Sequence, residues 1–228
     1  MMENTSYRNE LKYPISRTTR EVLSRRLGQI LVRDPHVQGQ SYRIKRLYFD
    51  TLDDEALADN LLGTNCREKY RIRMYNDDDR FIRLEKKVKR MNKGFKRSAP
   101  LCREEVVKIL ARDYGFLRDK EDPLLQRFYA DLTLKLLRPK IIIVYDREPF
   151  LYAPGNVRVT LDFGIRSSRE VWRFFEEDLG YLSGESPGSL LEVKYDDFLP
   201  DLIRDLVQGG EAMQTAHSKY ARGRLALG

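Results

Sequence analysis

The chain has 228 residues, enough for one domain with its own apolar core, and sets 42 Lys and Arg against 35 Asp and Glu for a net charge of +7. That balance points to an anionic partner, whether nucleic acid, acidic lipid, nucleotide or polyphosphate, without choosing among them. Two cysteines and two histidines, none at ligand spacing, exclude a disulfide framework and a readable zinc site, and fit a reducing, cytoplasmic compartment.

Met1 to Arg8 lacks the apolar stretch of a secretory signal. Ser6 to Ser16 alternates as a strand, with Arg8, Glu10 and Lys12 on one face and Leu11 and Tyr13 on the other. Thr18-x-x-Glu21 reads as a capping box that opens a helix to about Val32, with Val22, Leu23, Leu27, Ile30 and Leu31 as its stripe. Tyr42 to Asp50 is a second strand, and a short helical stretch covers Leu52 to Leu61.

Lys69 to Tyr75 and Phe81 to Lys89 follow as strands joined by the turn Asn76-Asp77-Asp78-Asp79. One face collects Lys69, Arg71, Arg73, Arg83, Lys87 and Lys89 around Glu85; the other collects Tyr70, Ile72, Met74, Ile82, Leu84 and Val88, with Lys86 among them. Like charges side by side are costly unless an anion lies against them. Glu85 has two readings, a metal ligand or a counter-charge that holds Arg73 or Lys87.

Met91 to Pro100 reads as a loop carrying Lys93, Lys96 and Arg97. Arg103 to Tyr114 and Leu124 to Leu137 are amphipathic helices, the second stopped by Pro139. Ile141 to Phe150 is a buried strand. Its Ile141 to Val144 is the longest apolar run, too short to span a membrane, so any membrane contact would need a partner protein. Val157 to Ile165 puts Arg158, Thr160 and Asp162 opposite Val159, Leu161 and Phe163, and Ser189 to Tyr195 puts Glu192 and Lys194 opposite Leu191, Val193 and Tyr195. A short helix, Leu199 to Val207, precedes a Gly209-Gly210 break and the tail Ala216 to Tyr220. No repeat or linker divides the chain, so residues 1–228 read as one domain.

A sheet with one wet face accounts for any one of these strands. Taken together, the charged faces lack the Thr, Ser and Gln of a wet face, and cations exceed carboxylates on strands from both ends of the chain. An alternative architecture explains both points: an α+β fold whose antiparallel sheet closes into a barrel, its charged face inward and helices packed outside over the apolar face. Its lumen would be a tunnel sized for an extended polyanion. No helix-turn-helix, RRM or finger signature supports nucleic acid, and duplex DNA would not enter.

Glu10-x-Lys12-Tyr13, Leu47-Tyr48-Phe49-Asp50-Thr51, Arg71-x-Arg73-x-Tyr75, Leu84-Glu85-x-Lys87, Tyr145-x-Arg147, Val157-Arg158-x-Thr160-x-Asp162, Leu191-Glu192-x-Lys194 and Ser218-Lys219-Tyr220 follow one another along the chain. This series resembles the VTC domain, the polyphosphate polymerase domain of the vacuolar transporter chaperone type, in the triphosphate tunnel metalloenzyme (CYTH-like) superfamily. The resemblance implies a metal-dependent phosphotransferase that moves the ATP γ-phosphate onto a growing polyphosphate chain. It implies that Lys12, Arg71, Arg73, Lys87, Arg147, Arg158 and Lys219 bind phosphate, with Lys96 (or Lys93), Lys194 and Ser218 beside them. Glu192, then Glu10, would hold Mn²⁺ or Mg²⁺. Relatives often work beside membrane proteins. The hydrolytic branches open with Glu-x-Glu-x-Lys, where this chain has Arg8-x-Glu10-x-Lys12; a cation there counts against a triphosphate hydrolase. A non-catalytic polyphosphate-binding module is the other alternative.

Overall fold

The structure, a computed structural model, describes residues 8–35, 37, 39–90, 93–183, 188–208 and 218–227. Ser6 and Tyr7 of the expected first strand, Met91, both histidines and the Gly209-Gly210 break with the tail up to His217 lie outside them. The first half of the chain forms β1 (Asn9–Ile15), α1 (Arg17–Ile30), β2 (Val32–Arg33), β3 (Tyr42–Asp50), α2 (Glu55–Leu62), β4 (Cys66–Tyr75), β5 (Asp78–Arg90) and β6 (Lys93–Leu101). Three helices follow, α3 (Arg103–Leu110), α4 (Gly115–Arg118) and α5 (Pro123–Leu134). The rest forms β7 (Arg138–Tyr152), β8 (Val157–Ser168), β9 (Leu182–Ser183), β10 (Ser189–Tyr195), α6 (Asp201–Gln208) and α7 (Lys219–Ala226).

The strands make one antiparallel sheet in the order β1-β10-β8-β7-β3-β4-β5-β6, with β2 added to β7 and β9 to β8. The sheet curls strongly. Lys87 on β5 bonds Glu10 on β1 at 3.1 Å although five strands lie between them in the sheet order. Among the described residues no ladder joins β1 to β6, so the expected barrel closure is not made by backbone pairing.

Several boundaries differ from expectation for local reasons. Ser16, not Thr18, caps α1, its hydroxyl accepting from the Thr19 N–H at 3.0 Å. Only Leu23, Leu27 and Leu31 of the expected stripe are buried, while Val22 and Ile30 are exposed. The expected loop after Met91 is β6, whose alternation Lys96-Arg97-Ser98 is masked by polar residues on both faces. Pro100 is tolerated there because β6 is an edge strand. Arg112 adopts a left-handed φ of 66°, which ends the helix expected to reach Tyr114, and Leu136 does the same at 54° after α5. The β4–β5 hairpin turns on Asn76 and Asp77, both left-handed, the two-residue geometry that matches strand twist.

The convex face of the sheet carries the main cores. Leu47, Ile72, Leu84, Ile142 and Val144 pack against Val106, Ile109, Leu125, Phe128 and Leu132 of α3 and α5. Val159, Leu161, Leu191 and Val193 pack against Leu23 and Leu27 of α1 and Ile203 of α6. Lys86, the cation on this face, bonds Glu68 at 2.7 Å and lies over the Tyr70 ring.

The expectation of helices outside holds for α1, α3, α5 and α6 and fails for α2, which lies on the concave side with α7, a helix where a tail was expected. Ile141, Ile143 and Tyr145 share the concave face with the charges, and α7 covers them together with Tyr48 and Ile44. The approach is close: a Cβ on Gly223 would lie 3.1 Å and 3.2 Å from the Cδ1 atoms of Ile141 and Ile143. Asp50 ties this layer to the sheet, accepting from the Ala56 and Leu57 N–H groups and from the Tyr220 hydroxyl. Arg224 adds a two-pronged bond to Asp54 before α2. A Gly223→Leu substitution should therefore destabilise the fold by about 1–3 kcal/mol through overpacking, read as a lower urea midpoint. An unchanged midpoint would mean that α7 does not seat on β7.

Candidate anion-binding site

The register stacks cations in rows across the concave face. Lys69 on β4 pairs with Lys87 on β5, which pairs with Lys96 on β6. Arg46 on β3 pairs with Arg73 on β4. Such like-charge neighbours repel, and carboxylates placed between the rows offset them.

Glu85, fully buried, is held by three cations: Arg71 at 2.6 Å, Arg73 at 2.9 Å and Lys96 at 2.7 Å. Asp162, also fully buried, receives a two-pronged bond from Arg147 at 2.6 Å and 2.7 Å and another from Lys219 at 2.5 Å. Glu192 joins the same knot through Arg147 at 3.1 Å and Lys219 at 3.0 Å. Glu10 sits among Lys87 at 3.1 Å, Lys12 at 3.5 Å and Lys194 at 3.5 Å. Burial opposes the ionisation of all four carboxyls, yet the surrounding cations override it and hold them below the ordinary carboxylate range. Burial acts the other way on the amines, lowering Lys69 to about 7 and Lys194 to about 8. Tyr48 is a further case: burial opposes its ionisation, and Arg46, Arg71 and Lys69 nonetheless bring it down to about 7.

These side chains enclose a cavity in two overlapping lobes of about 510 Å³ and 640 Å³, which share Glu10, Arg46, Arg71, Lys87, Lys89, Arg147 and Lys194. Every site residue expected from the sequence lines it. Glu10, Lys12, Arg71, Lys87, Arg147, Glu192, Lys194, Ser218 and Lys219 line the first lobe, and Arg73, Lys96 and Arg158 the second. Ser218 caps α7 and accepts from Lys69 at 3.1 Å, which sets the entry of Lys219 into the knot. Arg158 is tied to Asp34 and to the Tyr42 hydroxyl, each at 3.1 Å. The Lys93 side chain lies outside the described residues. Arg83, expected on the charged face, is exposed, and Arg8 is bonded to Asp196 at 2.8 Å.

Sequence reasoning missed Arg46 and gave Tyr48 no role. Arg46 alternates in register with Tyr42, Ile44 and Tyr48, a face of mixed character. Lys45 on the opposite face hid the pattern further, being buried through Asp77 and the Glu176 carbonyl. Asp162 was legible as a carboxylate of the charged face but not as the centre of the Arg147–Lys219 knot.

The fold is α+β, a curled antiparallel sheet that gathers its cations around a two-lobed cavity. The chain belongs to the VTC domain family, whose model matches residues 7–227. The fold is similar to that of the PH1819 protein of Pyrococcus horikoshii, at 14% identity and a TM-score of 0.52 over 96% of this chain and 98% of that one. It is also similar to a candidate adenylate cyclase of Bacillus halodurans, at 14% identity and a TM-score of 0.52 over 88% and 87%. The PH1012 protein of P. horikoshii matches at 11% identity and a TM-score of 0.52 over 94% and 98%. No match was found among curated proteins.

Two consequences are measurable in the ligand-free protein. Arg147→Ala strips the two-pronged bond from a buried carboxylate and should cost about 3–5 kcal/mol. Lys87→Ala leaves Glu10 two other lysines and relieves the Lys69–Lys87–Lys96 row, so its melting temperature should stay near wild type or rise. Equal losses in the two variants would contradict the distinction. The second consequence concerns pH. Lys69 and Lys194 have folded pKa values below the ordinary lysine value of about 10.4, so between pH 7 and 9 the unfolded chain binds more protons than the folded one. Their contribution raises the melting temperature across that window, and Lys69→Met should reduce the rise. A rise of unchanged size in Lys69→Met would show that Lys69 is not the titrating group.

Proposed function

We propose that this chain is a polyphosphate polymerase that transfers the γ-phosphate of ATP to the end of an inorganic polyphosphate chain. The observation that carries this reading is convergence: all eight strands of the main sheet path and α7 contribute at least one cation to the same elongated cavity. In this reading the curl works as a tunnel, with Glu10 of β1 bonded to Lys87 of β5 across it, and the product leaves along it. Duplex nucleic acid is too wide for lobes of this volume.

Phosphoryl transfer depends on positioning and charge neutralisation more than on covalent help. Arginines offer planar forks to phosphate oxygens and lysines offer mobile point charges. In this reading Arg71, Arg73, Lys87, Arg147, Arg158 and Lys219 hold successive phosphates in line, with Lys12, Lys96, Lys194 and Ser218 beside them. The terminal oxygen of a phosphate chain is already ionised, so it would attack the γ-phosphorus without a general base, a new P–O–P bond forming as the β–γ bridge breaks and ADP leaves. Hydrolysis would need a positioned water, and the carboxylate that hydrolytic relatives carry at the first position is here Arg8, tied to Asp196.

Among the described residues no three metal-type ligands cluster. A hard divalent cation that takes most of its oxygens from phosphate and water needs only one or two carboxylates. Glu192 and Glu10 fit that demand, being ionised, on neighbouring strands and close enough to feel each other's charge. When bound, Mn²⁺ or Mg²⁺ would neutralise charge on the transferring phosphate. Both Glu192 oxygens are engaged by Lys219 and Arg147, which favours as second reading a module that binds polyphosphate without turnover.

Cys66 and Cys102 are exposed and unpaired, which suits the reducing cytoplasm. Among the described residues no helix is long and apolar enough to cross a membrane, and a membrane-protein partner would supply any such contact.

Incubation of the purified protein with ATP and Mn²⁺, resolved on a gel, should give phosphate chains that lengthen with time. Orthophosphate alone would indicate a hydrolase; tight tripolyphosphate binding without product would indicate the binding module.

A further inference from the structure

We propose that Arg46 is the ligand of an interior phosphate of the chain, at the belt where the two lobes of the cavity meet. The proposal rests on the reading above that the cavity takes a linear phosphate chain.

Arg46 is buried, 6% exposed, and lines both lobes. Among the other arginines of the lining, Arg71 and Arg73 share Glu85, Arg147 holds Asp162 and Glu192, and Arg158 holds Asp34. Among the described residues Arg46 has no carboxylate within ion-pair distance. Its guanidinium bonds the Tyr48 phenol and lies 5.0 Å from the centre of the Tyr145 ring, and its Nε has no hydrogen-bond partner. Its direct cross-strand neighbour is another cation, Arg73. No carboxylate holds the Arg46 guanidinium in the empty protein, so an arriving anion has no ion pair to displace there. The arrangement gains a function only when an anion arrives.

The position selects the anion. Lys219 and Ser218 lie in one lobe and Arg73, Lys96 and Arg158 in the other, with Arg46 common to both. A phosphate bound to Arg46 therefore has room for a further phosphate on each side, as an interior unit of a chain does. An interior phosphate carries one charge shared by two non-bridging oxygens, and a guanidinium fork matches that pair in one plane, whereas a lysine ammonium does not. The ligand class is thus a linear chain of three or more phosphates, with pyrophosphate and orthophosphate discriminated against at this position.

The test compares the wild-type chain with Arg46→Gln and Arg46→Lys, titrating pyrophosphate and tripolyphosphate by calorimetry and recording thermal unfolding without ligand. Arg46→Gln should melt at or above the wild-type temperature, change pyrophosphate affinity by less than about threefold, and weaken tripolyphosphate by about 10- to 100-fold. Arg46→Lys should recover only part of that loss. A variant that melts lower and loses both anions equally would make Arg46 a structural residue and overturn the proposal. Unchanged tripolyphosphate affinity in Arg46→Gln would also overturn it while leaving the chain-binding reading intact. Failure of the wild-type chain to bind tripolyphosphate would overturn both.

Discussion

The concave face of the sheet gathers more cations than a folded protein would keep together without help, and four carboxylates, Glu10, Glu85, Asp162 and Glu192, make the arrangement foldable. Each is shared by two or three cations from different strands or from α7. They pin the curl from inside, while the apolar convex face is held by helices. The balance is incomplete. Lys69 bonds the neutral Asn60 and Ser218, Arg46 has no carboxylate within ion-pair distance among the described residues, and burial lowers the Lys69 amine.

Not all of the motif residues act in the cavity. Asp50 and Tyr220 belong to the most recognisable segments of the chain, yet they bond to each other and to the start of α2. Their work is mechanical: they seat α2 and α7 against the concave face, and the first turn of α7 then delivers Lys219 to Asp162 and Glu192. Gly223 allows the helix close enough for that delivery.

Much of the fold was legible in the sequence because period-two alternation is strong in β3, β4, β5, β8 and β10, and β3 and β10 match their expected limits of Tyr42 to Asp50 and Ser189 to Tyr195. The gathering of charges on one face of the sheet was legible because cation-rich faces recur on strands from both ends of the chain. Less visible were features that depend on tertiary contact. β6 read as a loop because an edge strand rich in lysine and carrying Pro100 has no apolar signature. α7 read as a tail because its docking depends on one missing side chain, at Gly223. Arg46 went unnoticed because buried Lys45 puts a charge on the opposite face of the same strand. The backbone closure of the barrel was an inference from face polarity, and polarity does not determine whether two edges pair.

The central claim is that this cavity takes a linear phosphate chain. A crystal structure of the protein with tripolyphosphate tests it most directly. The account predicts three phosphates in line along the two lobes, contacting Arg71, Lys87 and Arg147 from three strands and Lys219 from α7. Tripolyphosphate bound only on the outer surface, with the cavity side chains still paired among themselves, would contradict it.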